Sequence, residues 1–320
     1  MKIVNFHTYY DPTGRQLTEL RLHMYKDIVD EFIICETNVT HSGLPARQGL
    51  DSLLQEVNLP GVKVRKIALN IPDVPELDNL IIESDYLNSY EGNAANINSV
   101  RGRARERMQR DSLYSVLDDY DEDTFFIIND QDEFIDPRWI HWAVDTVEKY
   151  PQYIVKIPLV HLEGRADLRV YCRGEPEVPK EWDCAMFIVK KQHLRQASVL
   201  AFRSNVHGLF PTVNLSLDGK RFDDMGWHFS WMGQARERLA KLEGFCHYQD
   251  RFNWLETGSY DSLETKILLS QMYLADGMIP PSCNKFEVLR DYPHEKLPEL
   301  IFALPRVKAY LLPQSQPEGV

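Results

Sequence analysis

Short apolar runs and apolar stripes at helical spacing take turns along the first part of the chain. The run over 2–7 reads as a buried strand, and Asp11-Pro12-Thr13-Gly14 then turns the chain. Leu17, Leu20, Met24 and Ile28 recur at helical spacing and leave Glu19, Arg21 and Lys26 for the other faces of an amphipathic helix. Phe32-Ile33-Ile34-Cys35, ended by Glu36, is a second strand; Leu50, Leu53, Leu54 and Val57 give a second helical stripe; Val62, Val64 and Ile67 mark a third strand after the Leu59-Pro60-Gly61 turn. Strands alternating with helices predict βαβ units and a largely parallel sheet that needs helices on its faces.

Over 70–98 the pattern weakens. Pro72 and Pro75 interrupt it and polar residues dominate, which predicts a long surface excursion, a lid or acceptor loop. From Ser99 a helix rich in arginine (Arg101, Arg103, Arg105, Arg107, Arg110) turns Met108, Leu113 and Leu117 to the core. Thr124-Phe125-Phe126-Ile127-Ile128-Asn129 is a buried strand that runs directly into Asp130-Gln131-Asp132-Glu133, and Pro137 suits the first turn of a following helix. Strands are predicted over 153–161, 168–172 and 185–189, so the second half is richer in β-structure and mixed. Helices follow over 234–242 and 262–274, and the proline-bearing tail after Pro293 is expected to wrap the surface.

The 320 residues carry 36 Lys and Arg against 48 Asp and Glu, a formal charge of −12, which argues against a nucleic-acid partner, since a phosphate backbone calls for a surplus of cations. With 43% hydrophobic and 26% charged residues the composition is that of a globular protein. The cysteines (Cys35, Cys172, Cys184, Cys246, Cys283) form no C-x-x-C pair, so neither a zinc site nor a disulfide framework is expected. No apolar run approaches the roughly 20 residues of a membrane span, and no signal peptide is legible, so a soluble cytoplasmic protein is expected.

Asp130 and Asp132 fall two residues apart at the end of a buried strand, so in extended geometry both point to one side. Two carboxylates aimed together repel unless a cation lies between them. Oxygen ligands suit Mg²⁺ or Mn²⁺, which complete their shells from substrate phosphates and water, and the carboxyl ends of strands are where open α/β sheets bind ligands. The alternative is an acidic turn or helix cap. Asp119 with Asp121, and Asp121 with Asp123, have the same spacing but lie in a polar turn before the strand and read as solvated.

Three blocks resemble glycosyltransferase family 17, the β-1,4-N-acetylglucosaminyltransferase-like enzymes. The first is Glu19-Leu20-Arg21-Leu22 through Val29-Asp30-Glu31-Phe32-Ile33-Ile34-Cys35-Glu36-Thr37, with Thr40-His41-Ser42-Gly43-Leu44-Pro45. The second runs from Gln109-Arg110-Asp111 to Ile127-Ile128-Asn129-Asp130-Gln131-Asp132-Glu133. The third is Gly226-Trp227-His228-Phe229-Ser230-Trp231 with Lys241-Leu242-Glu243-Gly244-Phe245-Cys246-His247. The resemblance implies a GT-A, Rossmann-like nucleotide-sugar-binding α/β fold with a mixed, mainly parallel central sheet flanked by helices. On this division residues 1–290 form one domain, with 1–137 the nucleotide-binding half and 138–290 the acceptor-binding half, and 291–320 are a C-terminal extension.

The activity it implies is metal-dependent inverting transfer of a sugar, GlcNAc or a related one, from a nucleoside-diphosphate donor such as a UDP-sugar to a glycan or glycoconjugate acceptor. Mn²⁺ or Mg²⁺ is held by Asp132 and Asp130, Asp130 through water or by touching the ribose, with Glu133 behind them; His228 or His247 can complete the set. Inversion needs a base, for which Asp224, Asp223 and His228 stand in place, Asp224 first, although the paired aspartates also suit a solvated turn or N-cap. Arg103, Arg107 and Arg110 share a helical face and can reach diphosphate oxygens or form a solvated face. Glu36 can meet the nucleotide or acceptor, or instead cap a helix or pair with Arg21. Gln131 belongs with the donor site through the second block, and Trp227 and Trp231 can stack on sugar or pack in the core. With water as acceptor the same site gives a nucleotide-sugar phosphohydrolase, and without turnover a glycan-binding domain.

Overall fold

The computed structural model describes residues 1–11, 13–83, 97–172, 175–179, 181–196, 198–199, 212–214, 225–233, 237, 240–241, 244 and 288–312. Its opening follows the predicted alternation: β1 (Ile3–Tyr9), α1 (Arg15–Tyr25), β2 (Glu31–Thr37), α2 (Leu50–Val57) and β3 (Val64–Leu69). Two helices come next, α3 (Val74–Glu83) and α4 (Ile97–Asp111), before β4 (Phe125–Asn129). The four strands run parallel in the order β3-β2-β1-β4. The second half comprises β5 (Glu133–Ile135), α5 (Pro137–Lys149), β6 (Ile154–Glu163), β7 (Leu168–Cys172), β8 (Glu175–Pro179), β9 (Glu181–Lys190), α6 (Lys191–Leu194), β10 (Thr212–Asn214), β11 (Gly226–Ser230) and β12 (Val288–Asp291). The short helices α7 (Glu299–Ala303) and α8 (Pro305–Leu311) follow. The sheet continues from β4 as β9-β6-β7-β12 with antiparallel pairings, while β11 is parallel to β6 and antiparallel to β5. The protein is therefore a mixed α/β fold, its central sheet parallel in the first half and flanked by helices.

Alternate residues of each strand supply two cores. Val4, Phe6, Ile33, Cys35, Phe126 and Ile128 face one side, with Leu113, Leu117 and Tyr120 from the 3-10 turns that follow α4. Ile3, Tyr9, Phe32, Ile34, Phe125 and Ile127 face the other, with α1, α2 and α5. The position of α5 is set locally: Asp136 accepts a hydrogen bond from Arg138 N (3.0 Å) as N-cap, and Pro137 occupies the first turn, where its missing N–H costs nothing.

Four expectations are corrected. The excursion over 70–98 contains α3, whose Leu77 and Ile81 are buried against Val100 and Ala104 of α4; those apolar residues are too widely spaced between prolines and acids to stand out. The arginine-rich helix stops at Asp111, so Leu113 and Leu117 reach the core from 3-10 turns. The tail supplies Ile301, Val307 and Leu311, all with no exposed surface, to the core beside α1, so 298–312 pack within the main body. With α8 over it, α1 is buried on its polar side also: Glu19 meets Arg306 (3.3 Å) and Arg21 is wholly enclosed. The helices predicted over 262–274 and most of 234–242 lie outside the described residues.

Candidate active site at the end of strand β4

A polar seam crosses the apolar core and leads to the strand end. Asn5 Nδ2 donates to Ile127 O (3.2 Å) and Asn129 Oδ1 (3.0 Å), and Asn129 Nδ2 donates to Glu133 O (2.6 Å). Beneath the turn, Arg21 Nη2 donates to the carbonyls of Asp130 (2.8 Å), Gln131 (3.1 Å) and Glu133 (2.8 Å), with the guanidinium stacked 4.4 Å from the Phe134 ring centroid. Burial lowers the Arg21 pKa to about 10, which leaves it a cation under three acidic side chains. Gathering three carbonyls on one nitrogen bends 130–133 into a turn, closed by Glu133 N donating to Asp130 O (3.2 Å).

The bend separates the two aspartates, contrary to the shared direction that extended geometry implied. Asp130 faces α4, where Arg110 Nη2 donates to its Oδ2 (2.8 Å) and Oδ1 (3.2 Å); Arg110 also bonds Glu106. Asp132 points the other way, into a buried pocket of side chains. Lys241 Nζ lies 2.7 Å and His228 Nε2 3.7 Å from the same oxygen, Oδ2. Burial alone would raise the Asp132 pKa, but the Lys241 ammonium and the His228 ring hold it well below the usual carboxylate range.

His228 is brought there by β11, which lies between β5 and β6 so that His228 stands opposite both Glu133 and His161. Gly226 permits this approach, since a Cβ there would meet Phe134 O at 2.1 Å. Phe229 N donates to Asp132 O (2.8 Å) and ties the strand to the turn. Trp182 of β9 closes the pocket: its ring stacks on His228 with centroids 4.2 Å apart at 24°, and its Nε1 donates to Glu133 Oε1 (2.9 Å). Glu133 Oε2 accepts from Asp130 N (2.7 Å). His161 lies 5.1 Å from His228, ring to ring, and its Nε2 is 3.5 Å from Glu163 Oε2, both residues being buried.

Among the described residues, Asp132, Glu133 and His228 form a group whose ligand atoms lie within 4.8 Å of one another. Two carboxylates and an imidazole suit a divalent transition metal better than Mg²⁺, which takes oxygen ligands. The fit is supported by the Lys241 ammonium, a cation already drawn to Asp132. Asp130, with Arg110 on its carboxylate, is outside that group.

The remaining predicted residues are placed as follows. Arg107 bonds Asp111 (3.3 Å), and Arg103 lies half-buried one turn before it, so of the three arginines it is Arg110 that reaches the turn. Gln131 braces the β1–α1 connection, with Tyr10 N donating to its Oε1 (2.9 Å) and its Nε2 donating to Thr13 Oγ1 (3.1 Å). Glu36 caps α2, with Oε1 accepting from Gly49 N (2.7 Å) and Leu50 N (3.0 Å), and pairs with Lys66 (2.8 Å) rather than Arg21. Trp227 is a core residue that donates to Lys296 O (3.1 Å), and Trp231 lies beneath Lys241, 5.2 Å from its ammonium. Asp223, Asp224 and His247 lie outside the described residues.

Sequence reasoning missed Lys241, Trp182, His161 and Glu163 as site residues and assigned Arg21 to an outer helix face. The His161-Leu162-Glu163 alternation carried a signal: two ionisable groups on one side at the end of a buried strand need a buried partner.

No protein-family model matches the chain, and no curated protein does. Among solved structures, 4-diphosphocytidyl-2C-methyl-D-erythritol synthase superposes with a TM-score of 0.34 and 10% identity, over 66% of this chain and 87% of that one. Residues 1–349 of TarS from S. aureus give a TM-score of 0.30 and 13% identity, over 61% of this chain; the match spans 48% of that one, about half its length. Overlaps this loose bear on neither family nor chemistry. No helix of the described residues is long and apolar enough to cross a membrane.

Proposed function

We propose that the protein is a metal-dependent inverting glycosyltransferase of the family 17 type with a GT-A fold, moving GlcNAc or a related sugar from a UDP-sugar to a glycan or glycoconjugate acceptor. The observation that carries this reading is the buried group of Asp132, Glu133 and His228 at the carboxyl end of a parallel strand, where α/β folds bind nucleotides. Asp132 and His228 would hold Mn²⁺, with Glu133 behind them, oriented by Trp182 and the Asp130 N–H. The ion supplies a Lewis acid that offsets charge on the departing diphosphate.

The chain's own residues do the rest. Arg21 and the Asn5–Asn129 seam fix the turn so that Asp132 keeps its direction when the donor arrives. Arg110 balances Asp130 and offers a cation at the rim to the donor. Asp224, with Asp223 beside it, precedes β11 in the chain and is our assignment for the base that takes the acceptor hydroxyl proton.

The experiment is a thermal-shift panel of UDP-, GDP-, CMP- and dTDP-sugars with and without Mn²⁺, followed by mass spectrometry of products with glycan acceptors. A UDP-sugar should stabilise the protein only with Mn²⁺ and yield a new glycosidic bond. If no nucleotide sugar shifts the melting temperature, the donor reading is lost; release of sugar phosphate and nucleoside monophosphate with no new glycosidic bond would make the protein a phosphohydrolase.

A further inference from the structure

We infer that Lys241 is an exchangeable internal counter-ion: it neutralises Asp132 in the empty site, is expelled when a divalent cation arrives, and is recaptured by the diphosphate of the donor. This rests on the metal reading above and adds a link between metal and nucleotide binding through one side chain.

Asp132 retains 7% of its surface, so its charge needs a partner, and in this structure the nearest is the Lys241 ammonium at 2.7 Å. His228 converges on the same oxygen, so a cation held by Asp132 and His228 would meet the ammonium head-on. Two cations cannot share that oxygen without strong repulsion at low local dielectric, so occupancy by one excludes the other.

The two cations paired with the aspartates of the turn, Arg110 and Lys241, differ in their freedom to leave. Arg110 is fixed by two carboxylates, Asp130 and Glu106. Lys241 carries a point charge on a long flexible stem, lying over the Trp231 ring, and its backbone is anchored separately. Tyr10 Oη donates to Ala240 O (3.2 Å), and Ser42 N donates to Gly244 O (3.2 Å). The side chain can therefore swing while its segment stays docked. Once released it remains tethered at the rim, where the incoming phosphates are the new anions. Metal alone must then displace an ion pair to bind, whereas metal with nucleotide gives the ammonium a second partner.

The test compares the wild-type protein with Lys241→Met. Calorimetric titration of Mn²⁺ without nucleotide should show about tenfold tighter binding in the variant, and UDP in saturating Mn²⁺ should bind it about tenfold more weakly. Equal Mn²⁺ affinities in the two proteins overturn the inference and leave the metal reading standing; no Mn²⁺ binding to either overturns both. Unchanged UDP affinity overturns the recapture step. Should the variant fail to fold, the wild-type protein still decides: acylation of Lys241 by an amine reagent, read by peptide mass spectrometry, should rise with Mn²⁺ and fall again when UDP is added. Labelling indifferent to Mn²⁺ overturns the exchange.

Discussion

Two buried carboxylates stand at the carboxyl ends of parallel strands in this sheet, Glu36 on β2 and Asp132 just beyond β4, and they are satisfied in different ways. Glu36 receives two backbone N–H groups from the start of α2 on Oε1 and a lysine on Oε2, so one of its oxygens is committed to holding a helix. Asp132 is matched by the tips of two side chains, Lys241 and His228, that belong to other parts of the chain. Backbone donors cannot withdraw without unfolding their helix, whereas side-chain tips can be exchanged for a ligand. Burial alone therefore does not separate the two acids; the kind of donor does.

The sharpest way to break this comparison is Asp132→Asn, which keeps shape and removes charge. Mn²⁺-dependent donor turnover should fall by roughly a hundredfold or more while the circular dichroism spectrum is retained. Glu36→Ala should do the reverse, costing about 3 kcal/mol in a urea-unfolding experiment and leaving Mn²⁺ affinity unaltered in the protein that remains folded. Trp182→Phe keeps an aromatic ring against His228 and loses the bond to Glu133, so calorimetry should show Mn²⁺ binding weakened by about tenfold.

Acid titration sharpens the same contrast. Burial holds His7 and His41 below the ordinary imidazole pKa, so protons bind more readily to the unfolded chain. Their contribution to stability is complete above the unfolded value of about 6.5 and is lost as pH falls from there toward the folded values. The Asp132 contribution persists to lower pH, since its folded pKa is depressed and its loss begins below about 4. Urea midpoints measured from pH 7.5 to 5 should therefore decline, and less steeply in His7→Gln. Least of all should change in Asp121→Asn, an exposed position before β4, within about 0.5 kcal/mol of the parent by the same assay.

The βα alternation of the first half was legible because each strand and helix there writes its own periodicity, as Leu17, Leu20 and Met24 do for α1. The acidic turn was legible as a place, since Asp130-Gln131-Asp132-Glu133 interrupts a buried strand. Its internal geometry was not, because the direction of each aspartate is set by Arg21 and Arg110, which lie 109 and 20 residues before Asp130. Trp182, His228 and Lys241 come from three further segments, and no local pattern announces that they meet. The resemblance drew attention to the blocks containing His228 and Lys241, yet it was distance that gave Lys241 a role.

The docking of α8 on α1 has a bearing on how the molecule is made. Until residues 299–311 have been translated, α1 lacks the cover that α7 and α8 provide, so one of its sides stays open to water while the intervening chain is made. Closure that joins such distant portions of a polypeptide is slow, and products trimmed ahead of α7 are expected to expose the surface that α7 and α8 cover.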